Sequence, residues 1–190
     1  MSPRRLRLVL LTVGLLSAAL MLGAWTQPWA GLQLLDGREL SVRGQDAAPA
    51  LSGIALAAVA LTAALMIARA RLRVLLGVLQ LALGILAGLL VAPLVFSIEA
   101  LERASWPVIT EATGVAGGAA GHQIQHLGAT AWPIVAFWGA VTLAVVGLAV
   151  AVTARRWPAP TTKYDTAAEK PDTNAGAWDA LSEGEDPTSR

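Results

Sequence analysis

Residues 49–94 read PALSGIALAAVALTAALMIA-RARLR-VLLGVLQLALGILAGLLVAPL, and this stretch decides the fold. Two runs, 49–68 and 74–94, carry no ionisable side chain, and a short segment with Arg69, Arg71 and Arg73 separates them. About 20 residues in a helix, rising about 1.5 Å each, cross a hydrocarbon layer about 30 Å thick. Hydrocarbon offers the backbone no hydrogen-bond partners, so each run must satisfy its N–H and C=O groups internally, as a helix does. Two such helices joined by so short a link are antiparallel neighbours.

Two further runs flank this pair. Residues 6–25 carry no charge except Arg7 near their start, and residues 132–154 carry none. The whole chain of 190 residues is 55% hydrophobic and only 14% charged, with a mean hydropathy of +0.59. That is too little polar surface for a soluble domain of this size. The fold class expected is an all-α membrane protein, a bundle of four transmembrane helices. A secretory signal peptide is the other reading of run one, given its basic start and the small residues Ala18 and Ala19. An uncleaved anchor is favoured, because the run exceeds the usual apolar core of about 7–15 residues.

Charge sets the expected orientation. Arg4, Arg5 and Arg7 precede run one, Arg69, Arg71 and Arg73 separate runs two and three, and Arg155 and Arg156 follow run four, with no acid at any of these places. Short basic segments stay in the cytoplasm, so both termini are expected there. The layout is then a cytoplasmic N-terminus at 1–5, span one at 6–25, outer loop one at 26–48, span two at 49–68 and a basic cytoplasmic turn at 69–73. Span three at 74–94, outer loop two at 95–131, span four at 132–154 and a cytoplasmic tail at 155–190 complete it. The expected location is a bacterial plasma membrane. The net charge of +1 gives no reason to expect nucleic acid as a partner. The chain has no cysteine, which excludes disulfides, thiolate metal sites and a lipidated cysteine.

Outer loop one carries a hairpin signal. Asp36-Gly37 separates residues 32–35 from residues 38–43, and predicts a type I′ turn, with Leu40 and Val42 on one face and Glu39, Ser41 and Arg43 on the other. In outer loop two, Ile98 and Leu101 share a helical face, which predicts a short interfacial helix over 98–104. Residues 114–121 are a Gly/Ala-rich turn, and residues 122–127 another helical turn. The tail, from 157, is rich in Pro, Asp, Glu and Thr and cannot bury enough apolar surface to fold alone. It is expected to be disordered or partner-bound. Within it Trp178 and Leu181 are one helical turn apart among acids, and suit docking on a protein partner.

Seven tryptophans are many for this length. Trp25, Trp29, Trp106, Trp132 and Trp157 fall at span ends or in outer loops, where the indole, apolar with one N–H, suits the headgroup layer. Trp138 lies inside span four and is expected to pack between helices. Small residues form stripes: Gly77, Gly84 and Gly88 in span three, and Ala136, Ala140, Ala144 and Gly147 in span four. Such residues let helix backbones approach in lipid, where no hydrophobic force assembles them. Packing within the bundle is the preferred use, with docking of another protein as the sharper one.

The remaining candidates are weak. His122 and His126 have the i, i+4 spacing of a shared metal on a helix, but no nearby carboxylate completes a set, so no metal is expected. Residues 114–121 match a phosphate loop only in glycine content and lack its Lys-Ser/Thr. Beyond Arg7 no span contains an ionisable side chain, whereas pumps and proton-coupled carriers keep one at depth. Gln80 is the one large polar side chain in the spans, and is expected to hydrogen-bond a neighbouring helix.

Several local patterns point to a family. Trp25 closes span one, and residues 41–44 (SVRG) lead into residues 48–51 (APAL) at span two. Trp132-Pro133 opens span four. Arg155-Arg156-Trp157-Pro158 is followed by Lys163-Tyr164-Asp165, and the end reads WDALSEGEDPT over 178–188. With these the chain resembles the actinobacterial tryptophan-biosynthesis-associated membrane proteins along most of its length. Lys163 and Asp165 depart conservatively from that pattern's more usual Arg-Tyr-Glu. The resemblance implies four spans and an actinobacterial plasma membrane, and it assigns no catalytic residue and no cofactor.

Two functions fit these observations. One is a non-catalytic accessory subunit of a larger membrane complex, with the lipid bilayer and a membrane protein as partners. The other is a small carrier or exporter of tryptophan, indole or a similar apolar metabolite, which predicts a midplane cavity lined by Gln80 and Trp138. An enzyme is not expected, since no nucleophile, base or metal cluster converges in the sequence.

Overall fold

The computed structural model describes residues 3–157. Four helices are long and apolar enough to cross a membrane: α1 (Pro3–Trp25), α3 (Ala50–Ile67), α4 (Ala70–Phe96) and α7 (Trp132–Thr153). Consecutive spans run in opposite directions. Their ring order is α3, α1, α7, α4, with α4 against α7 as the most extensive seam and α3 against α4 a sparser one. One end of the bundle gathers Arg4, Arg5, Arg7, Arg69, Arg71 and Arg73 with no acid among them, and is called here the basic end; Arg38, Arg43 and Arg103 lie at the other end among acids.

The other end carries a folded cap. Strand β1 (Pro28–Leu34) leaves α1 and pairs antiparallel with β2 (Glu39–Arg43), which runs into a single turn of helix, α2 (Gly44–Ala47). After α4 come α5 (Ile98–Thr113), the one-turn α6 (Gly118–Gly121) and β3 (Ile124–Ala129), which returns the chain to α7. The sheet order is β2-β1-β3, with both pairs antiparallel.

The cap obeys the rules of water-soluble packing. Ala30, Leu32, Leu34 and Val42 point to one side of the sheet and are buried against Leu101, Ile109 and Ala120 of α5 and α6. The opposite side shows Gly31, Gln33, Glu39, Ser41 and His126, all exposed. This is the alternation of an antiparallel sheet with one wet face. Helix α5 is well delimited: Ser97 Oγ accepts the Ala100 N–H at 3.2 Å, and Gly114 ends it with φ +74°.

Several expectations are corrected. The hairpin turns at Asp36-Gly37, but not as type I′, because Gly37 alone has positive φ (82°) there and no non-glycine residue does. The Gly37 N–H reaches Leu34 O at 3.0 Å, and the Leu34 N–H reaches Arg38 O at 2.9 Å. The loop is therefore three residues long, a type I turn followed by a left-handed glycine. Residues 98–104 are the start of a 16-residue helix on the sheet rather than a short interfacial one: Leu101 is buried and Ile98 is exposed. Residues 122–127 are not helical, and they supply most of the third strand. The basic turn 69–73 shrinks to Ala68–Arg69, since α4 already begins at Ala70.

Candidate functional site

The small-residue stripes of α4 and α7 meet each other. A Cβ built on Gly77 would lie 2.7 Å from the Ala151 backbone nitrogen. One on Gly84 would collide with the backbone of Ala144, and one on Gly147 with the backbone of Leu81. Ala136 and Ala140 are fully buried on the same helix. Gly77 and Gly84 thus act as a pair one heptad apart. Gly88 does not join them, because its Cβ would meet nothing within 4 Å; the GxxxG reading of Gly84 and Gly88 is corrected accordingly.

Two close approaches escaped the sequence reading. On α7 a Cβ at Gly139 would lie 2.9 Å from Met21 Cγ of α1. At Gly14 of α1, a Cβ would lie 2.9 Å from Gln80 Nε2 and 3.5 Å from Thr62 Oγ1. Gln80 is therefore at the centre of the bundle, 0% exposed. It was expected to bond a neighbouring helix, but neither its Nε2 nor its Oε1 has a hydrogen-bond partner. The Thr62 hydroxyl beside it bonds within its own helix, to Ala58 O at 2.8 Å, as the Ser17 hydroxyl of α1 does to Val13 O.

The tryptophans divide by environment, and the single belt is corrected. Trp132 fits an interfacial position at 38% exposed. Trp25 is half-buried and donates to Ala48 O at 3.2 Å. Trp29 is fully buried where bundle meets cap, and its N–H reaches Ala24 O at the end of α1 at 2.8 Å, beside the Gln27 N–H at 3.1 Å. Gly44 makes room for it: a Cβ there would lie 2.7 Å from Trp29 Nε1. Trp106 packs inside the cap, half-buried. Trp157 is buried at the basic end, its N–H on Thr153 Oγ1 at 3.2 Å. Trp138, expected between helices, is 61% exposed on the outside of α7. Its span is packed on its other side by Ala136, Gly139 and Ala140.

At the basic end Arg73 is not in a solvated turn. It is fully buried, and its guanidinium carbon lies 5.7 Å from the centre of the Trp157 ring, in range for a cation–π contact. Arg7 donates to the Met66 carbonyl oxygen at the end of α3. Arg69 and Arg71 are exposed.

The exposed face of the sheet forms a shallow depression of about 580 Å³ over Gly31 and Gly128, edged by Gln33, Glu39, Ser41 and His126. His122 lies outside β3, just after α6, so the two histidines do not share a helical face. Trp178 and Leu181 lie outside the described residues.

Four apolar helices crowned by a small sheet-and-helix cap define a multi-pass membrane protein. The tryptophan-associated transmembrane protein family matches the chain over residues 11–188, and the chain belongs to that family. No curated protein and no solved structure matches it.

Proposed function

We propose that this protein is a non-catalytic accessory subunit of a larger plasma-membrane assembly, with both termini in the cytoplasm. The observation that carries the reading is the close backbone contact between the spans. Backbones of α4 and α7 touch at Gly77, Gly84 and Gly147, and α1 closes on α7 at Gly139. The carrier reading predicts a midplane chamber lined by Gln80 and Trp138. Gln80 is at the bundle centre and Trp138 faces outward, so the two side chains do not share one. The cap, by contrast, offers a polar, folded surface outside the bundle, of the kind a partner can grip. The basic end holds arginines and no acids, whereas the cap holds both, which supports cytoplasmic placement of the basic end. In the tail, Trp178 and Leu181 serve as a docking pair for a membrane-protein partner.

Purification from native membranes in mild detergent tests this. The protein should migrate in a particle of defined size with stoichiometric membrane partners, and Trp178→Ala with Leu181→Ala should weaken that association. Saturable uptake of tryptophan or indole by proteoliposomes holding this protein alone would overturn the reading in favour of a carrier. A cytoplasm-dependent reporter should be active at Arg190 and silent at Gly117, and the reverse would overturn the orientation.

A further inference from the structure

The sparse seam between α3 and α4 is open on the outside. A groove of about 500 Å³ runs along it, lined by Ala57, Ala60, Leu61 and Ala64 of α3 and by Leu79, Ala82 and Leu83 of α4. The lining is apolar, and its four alanines leave a channel where larger side chains would have filled the seam.

Its depth is informative. The groove lies along the half of the seam nearer the turn Ala68–Arg69. At about 1.5 Å per helical residue, its lining runs from roughly 7 Å (Ala64) to roughly 21 Å (Leu83) beneath Arg69. One leaflet of a bilayer is about 20–22 Å thick with its headgroup layer, of which about 15 Å is hydrocarbon. With Arg69 in the headgroup layer, the groove ends near the bilayer midplane, which matches an acyl chain of one leaflet rather than the full length of a transmembrane helix.

Its mouth is charged. Arg69 and Arg71 sit where α3 and α4 meet, are exposed, and have no acidic partner among the described residues. Arg71, Leu75, Leu79 and Ala82 follow one another at spacings of four, four and three, so they share one face of α4. Along that face a positive group stands directly above an apolar channel.

We infer that the α3–α4 seam binds an anionic phospholipid of the basic-end leaflet, its phosphate at Arg69 and Arg71 and one acyl chain in the groove. The two arginines supply the attraction that anionic headgroups exert on basic residues at this depth. The alanines supply the fit that holds one lipid in place.

Native mass spectrometry of the full-length protein, released from bilayers of equal phosphatidylglycerol and phosphatidylcholine, tests this. The wild type should keep phosphatidylglycerol with roughly a tenfold preference. Arg69→Gln with Arg71→Gln should abolish the preference while an acyl-bound adduct of either lipid persists. Ala60→Leu with Ala82→Leu, both at exposed positions, should remove the adducts, while Arg4→Gln should change nothing. Circular dichroism and gel filtration of each variant check that the fold is kept. Equal phosphatidylglycerol retention by all variants would overturn the proposal. So would an adduct that forms only after residues 159–190 are removed, since the arginines would then be held by the chain's own acidic tail. So would a dimer that Ala60→Leu with Ala82→Leu dissociates without altering lipid retention, since the groove would then be a contact between copies.

Discussion

The bundle and the cap are held together by opposite means. In the bundle the closest contacts are made by residues with almost no side chain, Gly77, Gly84, Gly139 and Gly147, each brought against a neighbouring helix. Large apolar residues there mostly point outward, as Leu86, Leu89, Val145 and Trp138 do. In the cap the same residue types point inward: Leu32, Leu34, Leu101 and Ile109 form its core, while Gly31 lies on its exposed face. The difference follows from the solvent. Lipid gains nothing by expelling a leucine, so helices associate through close fit, and small residues give the closest fit. Water does expel leucine, so the cap is driven by buried apolar area.

The sharpest way to break this comparison is to enlarge a bundle glycine. Gly84→Leu places a side chain where even a Cβ meets the backbone of Ala144. Overpacking of this kind costs about 3 kcal/mol or prevents folding. Gly88→Leu, one turn further along the same helix, has open space and should change stability by less than about 0.5 kcal/mol. Reversible unfolding in mixed micelles measures both. Equal effects would mean that the α4–α7 seam is not what holds the bundle.

The converse substitution should hurt the cap and spare the bundle. Ile109→Ala removes a fully buried side chain from the cap core and should cost about 3 kcal/mol. Leu89→Ala removes a side chain that is 69% exposed, and in lipid should cost no more than about 0.5 kcal/mol. Limited proteolysis of the cap, with the spans protected by detergent, separates the two. If Leu89→Ala proves the more damaging, that leucine faces protein rather than lipid.

The sequence makes one of these regions far more readable than the other. A span needs only length and apolarity, and all four were legible. The hairpin was legible because Asp36-Gly37 marks a turn, although the identity of the turn depended on the φ of Asp36, which the dipeptide alone does not set. Strand β3 was missed for a physical reason. Ile124 and Leu127 are three apart, the spacing of a helix. The register with β1 shifts between Gln33 and Leu34, which pairs Leu34 with Ile124 and skips Gln125. That irregularity brings Ile124 and Leu127 onto one side of the sheet. Trp29 and Trp157 were read as belt residues because a belt and a plug both place indole at the end of a span. Only the neighbours, Gly44 beside Trp29 and Arg73 beside Trp157, distinguish them.

Gln80 marks where the bundle departs from its own rule. It is a large polar side chain among small and apolar ones, and its amide is buried without a partner. Gln80→Leu keeps the volume and removes the unsatisfied amide, so it should stabilise the bundle by about 1 kcal/mol. A loss of stability on the same unfolding assay would show that the amide is bonded in the membrane. A gain in stability together with failure to enter the native assembly would show that the amide is kept for function.

The smallest expected effect is electrostatic and belongs to the wet side of the cap. At the hairpin tip Asp36 accepts the Arg38 backbone N–H at 3.0 Å and forms an ion pair with its guanidinium at 2.7 Å. These hydrogen bonds from Arg38, backbone first, hold the Asp36 carboxyl below its ordinary value. Arg38 in turn donates to Ala112 O at 2.9 Å, near the C-terminus of α5. Asp36 therefore orients the arginine that ties the hairpin to α5. Because its folded value is depressed, its contribution is fully present above the ordinary carboxylate value, and it fades as pH falls through the lower, folded value. The pair is exposed, so salt and water keep the contribution small. Carboxyl NMR should place the Asp36 midpoint below that of an unstructured peptide, and Arg38→Gln should raise it. In Asp36→Asn the cap's stability should lose its acid-side slope in that window, with no change in the bundle. An Asp36 midpoint unmoved by Arg38→Gln would mean that the turn backbone alone sets it, and the tie to α5 would then stand without the carboxylate.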